Sequence, residues 1–170
     1  MSAGTFVVTA QDQELRTAAP VRVVHLTVHV QTGTAPYFCD ITDAVAECVR
    51  AAGARAGLAT VFCRHTTAGL CINEHEPLLL QDMAEFLTRL APPGRGYRHD
   101  DFTVRTVNMN PDERPNAHAH CQQLLLNSSE SIPVANGALV LGRWQRLFLV
   151  ELDCPKLREL SVCVIGSVER

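Results

Sequence analysis

Between Arg64 and Pro77 the chain reads RHTTAGLCINEHEP, which sets His65, His75, Glu74 and Glu76 around two short apolar segments. Imidazoles and carboxylates so close together suit proton transfer near neutral pH or the ligation of a divalent cation. Thr66 and Thr67 follow His65 directly, and their hydroxyls can orient a ring or a phosphate. Further on, YRHD places His99 beside Asp100, and NAHAH places His118 and His120 two residues apart. The run WQRLFLVELD carries Glu151 behind apolar residues, where an unpaired carboxylate is costly to bury. Glu151 therefore requires a cationic partner or a metal, unless it lies at a solvated strand end.

Each group also has a plainer reading. If Asn116 to Asn127 is a helix, His120 falls on the apolar stripe with Ala117 and Leu124, and His118 lies about 200° away around the axis. His120 is then either an oriented functional imidazole or a core histidine satisfied by its neighbours. Glu76 stands just before a helix N-terminus, where an acid is favourable without any catalytic role. Asp82 falls between the apolar positions Leu79 and Met83 of its helix, and a solvated face accounts for it equally well. His25 and His29 share the wetter face of a strand and read as solvated. There is no nucleophile elbow, Walker loop or dinucleotide fingerprint in the chain.

The elements that must position these groups follow from periodicity. VRVVHLTVHVQ alternates as a strand, with Arg22, Val24, Leu26, Val28 and Val30 on one face. TFVVTA near the start reads as another strand. From Asp40, a candidate N-cap, Ile41, Ala44, Val45, Cys48, Val49 and Ala52 follow helical spacing up to Gly53 or Gly57. LATVFCR and GLCINE read as two strands of a hairpin joined by HTTA. Pro77 opens a second helix with a stripe of Leu79, Met83, Phe86, Leu87 and Leu90, ending at the Pro92–Gly94 turn. Residues 95–115 form a long polar connection of the kind that is often functional. SIPVAN, RWQRLFLVELD and ELSVCVIGSV close the chain as strands. The expectation is an α+β fold: one domain over residues 1–170 with a mixed or mainly antiparallel sheet and about three helices. Residues 1–20 supply its N-terminal strand and connection.

Composition excludes several classes. With 46% hydrophobic and 19% charged residues the chain is an ordinary globular one, long enough to bury a core without staples. A net charge of −3 with no basic run argues against nucleic acid. There is no apolar run long enough for a membrane span, nor a signal-like start, so the expected location is cytoplasmic. The 7 cysteines are scattered, without a CxxC pair, and read as buried free thiols.

Taken in order, FCDITDAV, GLATVFCRHTTAGLCINEHEP, YRHD, NAHAH, IPVANGALVLGRWQRLFLVELD and the final VIG resemble the YjbQ-like family, the so-called secondary thiamine-phosphate synthase proteins. The resemblance runs from about Phe38 to Gly166. It implies an α+β fold assembling as a homotrimer, with sheets packed around the threefold axis. It implies an activity that couples a pyrimidine diphosphate to a thiazole phosphate, on a small phosphorylated or anionic substrate. It implies His65, His99 and His120 as metal ligands or acid–base groups, with Asp100 or Glu74 orienting them and a divalent cation, zinc or magnesium, as cofactor. Thr66, Thr67, Trp144 and Gln145 would line the substrate pocket, while Arg64, Arg98 and Arg143 could meet phosphate. Where many relatives carry a longer Asn- and Asp-rich run, this chain has NEHEP. The alternative is a non-catalytic oligomeric module that binds a metal or ligand through the same cluster.

Overall fold

The computed structural model describes residues 20–168, so the strand expected at TFVVTA lies outside the described residues. In order come β1 (Val21–Gln31), β2 (Tyr37–Asp40), α1 (Thr42–Ala52), β3 (Ala54–Cys63), β4 (Ala68–Glu74) and α2 (Pro77–Leu90). A 3-10 turn at Arg98–Asp100 and α3 (Ala117–Gln123) follow. The chain continues with β5 (Ser129–Ala135), β6 (Ala138–Leu139), β7 (Gln145–Glu151) and β8 (Leu157–Val168). The strands form two sheets, ordered β1-β8-β3-β5-β6 and β2-β7-β4, and every pairing is antiparallel. This is the α+β fold the sequence implied, with the strands divided between two sheets.

That division overturns the expected hairpin. β3 pairs with β5 and β8, and β4 pairs with β7, so HTTA carries the chain from one sheet to the other. The reason is burial. Ala59, Val61 and Cys63 of β3 and Ala68 and Leu70 of β4 belong to one buried cluster. Facing each other across two layers removes more apolar surface from water than pairing edge to edge.

β7 is the hinge of the packing. Leu147 and Leu149 point into the core between the sheets, while Phe148 and Val150 point the other way, toward Leu87 of α2 and Ala119 of α3. β1 keeps the alternation read from its sequence: Val30 is buried and Val24, Leu26 and Val28 pack on the same core. α1 closes that core with Val45 and Val49, and Gly53 ends the helix at φ +67° as a left-handed cap. The N-cap of α1 is Ile41 rather than the expected Asp40, which stands one residue earlier and accepts from the Thr42 N–H at 2.9 Å.

Two helices differ from their sequence patterns. α2 turns Leu80, Leu87 and the following Ala91 inward, and Phe86 and Leu90 are exposed. Asp82 is exposed as well, the solvated-face reading rather than the core-side one. Glu76 caps α2 by accepting from the N–H groups of Leu78 and Leu79, the helix-terminal role its position suggested. α3 stops at Gln123 rather than Asn127 and buries Ala119 and Gln122, leaving Leu124 and Leu125 exposed. Its seven residues present too narrow a face to cover Leu124. The seven cysteines are free, but only Cys48 and Cys63 are buried, and Cys121 is exposed. Burial raises the Cys71 thiol to about 11, which leaves it inert near neutral pH.

Asp40 also ties α1 to β7. Arg146 Nε donates to its carboxylate at 2.6 Å, and His75 Nδ1 lies 3.0 Å from the same oxygen. Burial pushes its pKa up, but the bonds from Arg146, Thr42 and His75 outweigh this and bring it to about 2. A depressed carboxylate stabilises the fold fully above its unfolded pKa and loses that contribution as pH falls through the folded value. Asp40→Asn is expected to lower stability at pH 7 by on the order of 2 kcal/mol. In urea melts the gap to the parent chain should close between about pH 4 and about pH 2.

Candidate functional site

Glu151 is fully buried at the end of β7, and of the readings open to it the cationic partner is the one found: Arg158, 5% exposed near the start of β8. Arg158 Nε donates to one carboxylate oxygen at 2.6 Å and Nη2 to the other at 2.5 Å. The Thr32 hydroxyl donates at 2.9 Å, and the backbone N–H groups of Leu152 and Asp153 donate at 3.2 and 3.0 Å. Desolvation raises the Glu151 pKa, and these donors more than offset it, so the net shift is downward and the group stays ionised. Arg158 Nη2 also donates to the Thr67 hydroxyl at 3.0 Å. The pair therefore joins the end of β1, the HTTA crossover, the β7–β8 turn and β8.

Above this network lies a cleft of about 590 Å³. Thr66 and Thr67 from the crossover and Asp153 and Lys156 from the β7–β8 turn form one side. His99, the loop residues Arg105, Asn108, Asn110, Asp112, Glu113 and Arg114, and Asn116 and His120 form the other. The long polar connection thus becomes a wall of the cleft, and the YRHD and HTTA segments meet there. Asp100 accepts from the Asn116 and Ala117 N–H groups at 2.9 Å each, which pins the loop to the first turn of α3.

The histidines fall into different states. His99 and His120 pack edge to face, with ring centroids 4.8 Å apart at 70°. Arg105 Nη1 lies 3.1 Å from His99 Nε2. A guanidinium only donates, so that nitrogen accepts and the His99 proton sits on Nδ1. The Glu159 N–H donates to His65 Nε2 at 3.0 Å, which fixes the same tautomer there. The His120 ring has no hydrogen-bond partner among the described residues. Burial, with the positive charge of Arg105 added, lowers its pKa from the usual 6.5, so it is a neutral base at pH 7. Burial and Arg158 lower that of His65 likewise. Arg105 is itself paired with Glu113, and Lys156 with Asp153. Arg114 is the lining cation without an acidic partner among the described residues.

Several expected site residues stand elsewhere. His65 does not line the cleft; its ring is turned to the β8 backbone. The implied metal set does not fit this chain: Nε2 is committed in both His65 and His99, and a guanidinium stands against the latter. Among the described residues, no group of three or more His, Cys, Asp or Glu is arranged to hold a metal ion. Asp100 binds backbone and Glu74 lies at the far end of β4, opposite Gln145, so neither orients a histidine. Trp144, just before β7, and Gln145, its first residue, stand roughly 20 Å from Glu151, given ~3.3 Å per residue, and do not line the cleft. Trp144 is 61% exposed beneath the Arg143 guanidinium, and Gln145 accepts from the Gly142 N–H. Arg64 pairs with Glu159 at the surface, and Arg98 sits in the 3-10 turn outside the lining. Arg105, Glu113, Arg114, Asp153 and Lys156 are among the contributors the motifs did not single out.

A two-sheet α+β domain with a histidine-bearing polar cleft between a crossover and a long loop defines the class. The model of the YjbQ-like UPF0047 protein family matches residues 26–167, and the chain belongs to that family. A UPF0047 protein of Methanothermobacter thermautotrophicus is 33% identical over 168 residues, covering 98% of this chain and 99% of the relative. One from Archaeoglobus fulgidus is 42% identical over 123 residues, 72% of this chain and 86% of the relative. Among solved structures, a YbjQ-like protein of unknown function from Sulfolobus solfataricus superposes with a TM-score of 0.76 at 32% identity, covering 87% of this chain and all of that one. A hypothetical protein from Aeropyrum pernix gives 0.74 at 34%, covering 85% and 99%. Among the described residues no helix is long and apolar enough to cross a membrane.

Removing either member of the buried pair leaves the other charge unpaired. Glu151→Leu or Arg158→Met alone should cost about 3–5 kcal/mol in denaturant unfolding. The double substitution should recover most of that loss, because it removes both desolvation penalties together.

Proposed function

We propose that the cleft takes a small phosphorylated or otherwise anionic molecule and that His120 acts on it as an acid–base group. The observation that carries this reading is the His120 ring itself: it faces the cleft, packs on His99, has no hydrogen-bond partner among the described residues, and is held neutral by burial. A neutral imidazole can accept a proton from substrate and return it. His99, locked by Arg105, orients it and resists movement. Arg114 offers a guanidinium to an anionic group, and Thr66 offers a hydroxyl.

Coupling of a pyrimidine diphosphate to a thiazole phosphate, the activity the family resemblance implied, is one reaction of this class. Arg114 supports it. The want of a glycine-rich phosphate cradle and, among the described residues, of a metal-ligand set counts against it. The binding-module alternative is favoured by one feature: Arg105 and Lys156 are already neutralised by acids within the cleft.

The test is turnover of phosphorylated candidates, that coupling included, by the parent chain and by His120→Ala and His120→Gln. Turnover should fall by roughly 100-fold or more in both variants, with melting temperature unchanged. In the parent, kcat/KM should rise with pH through an apparent pKa below 6.5, since the neutral form is the active one. Unchanged turnover in the variants would sink the assignment, and binding without turnover would support the module.

We also propose that the homotrimer implied by the resemblance forms through the outer face of the five-stranded sheet. Val23, Ile165 and Leu58 stand side by side across β1, β8 and β3, and Phe62 lies further along, each of them exposed. Light scattering should give three 18.6-kDa chains, and Phe62→Asp should shift the mass to one. A parent chain that runs as a monomer contradicts this.

A further inference from the structure

Among the described residues, two buried side-chain atoms have no hydrogen-bond partner, Asn116 Oδ1 and Gln122 Oε1. Gln122 has a structural explanation. Its Nε2 donates to the Leu87 and Ala91 carbonyls at 3.2 and 3.0 Å, so the side chain ties α3 to the end of α2, outside the cleft lining. Asn116 has no such explanation. It stands at the N-cap of α3, where an asparagine oxygen ordinarily accepts from the first helical N–H groups, yet its side chain makes no capping bond. Asp100 does that work instead, accepting from the Asn116 and Ala117 N–H groups. The Asn116 oxygen is left over, in a residue that lines the histidine cleft.

A buried acceptor without a donor is destabilising, and folded proteins hold few of them. We propose that Asn116 is a specificity determinant of the cleft and receives a hydroxyl of the ligand, so that the small molecule taken there carries a hydroxyl beside its phosphate or other anionic group. The inference rests on the reading of the cleft as an anion site and adds what else its ligand must carry. Asn116 and His120 are one helical turn apart, the His120 N–H donating to the Asn116 carbonyl at 3.4 Å, and both line the cleft. Residues at that spacing are surface neighbours, which sets the hydroxyl near the group His120 acts on. A hydroxyl both donates and accepts, so it answers a carboxamide through either end. The lining residues Asn108, Asn110 and Asp112 are exposed, and bulk water satisfies them. A single trapped water is a poorer answer for Asn116: it needs about two to four polar partners. Among the described residues no second orphaned buried atom lines the cleft to share it. An acceptor shut off from water also discriminates well, because an analogue without the hydroxyl leaves it unpaired.

The experiment is calorimetric titration of glycerol 3-phosphate and of propyl phosphate into the full-length chain. The two carry the same anion, and propyl phosphate lacks the hydroxyls. The parent chain is expected to bind glycerol 3-phosphate roughly tenfold more tightly. Asn116→Ala should bring the two ligands to within about twofold of each other, with melting temperature not lowered, since no capping bond is lost. Asn116→Asp keeps an acceptor oxygen; it should weaken both phosphates through its charge and retain the preference for the hydroxylated one. Equal binding of the two ligands by the parent chain overturns the proposal and leaves the anion reading standing, whereas binding of neither overturns both. A preference that survives in Asn116→Ala assigns the hydroxyl to an exposed acceptor such as Asp112 and overturns the proposal, as does a preference lost in Asn116→Asp.

Discussion

The buried contact between Glu151 and Arg158 is the constraint on which the rest of this structure hangs. Taking both charges out of water is costly, and the cost is offset only while every lone pair and every N–H is used. That demand draws in Thr32, Thr67 and the turn after β7, so four distant segments are fixed relative to one another. Two of them, the crossover and the β7–β8 turn, supply one side of the cleft. The same interaction thus explains why the sheets are joined at this end and why polar groups collect above it.

β7 supplies the other half of the explanation. A strand apolar on both faces has to lie between two layers, and this one separates the inter-sheet core from the layer made by α2 and α3. α3 is short and weakly covered, so its position depends on what grips it. Gln122 donates to the last carbonyls of α2, and Asp100 accepts from the first N–H groups of α3. His120 is presented to the cleft by those two attachments rather than by an apolar stripe.

Much of this was legible residue by residue. The alternation of β1, the Gly53 stop of α1, Pro77 at the head of α2 and the need of Glu151 for a cation all follow from local physics. The polar loop of residues 95–115 was recognisable as a candidate site wall from its length and composition. What failed were inferences that assumed a neighbour. LATVFCR and GLCINE look like a hairpin until the strands across from them are known. Leu79, Met83 and Phe86 look like a core stripe until the helix is docked by Leu80 and Leu87. His65, Glu74, Trp144 and Gln145 share motifs with the cleft residues, but the strands carry them elsewhere.

The amino-acid sequence by itself determined the elements, their apolar faces and the family to which they belong, because periods of 2 and 3.6 and the capping residues act over a few positions. Only the tertiary structure decided which strand meets which, which histidine nitrogen is free, and which cation answers which acid. Those outcomes depend on burial and on hydrogen bonds between residues far apart in the chain, such as Thr32 with Glu151 and Thr67 with Arg158. A side chain's type states what it can donate or accept, and only its place in the fold settles what it is given.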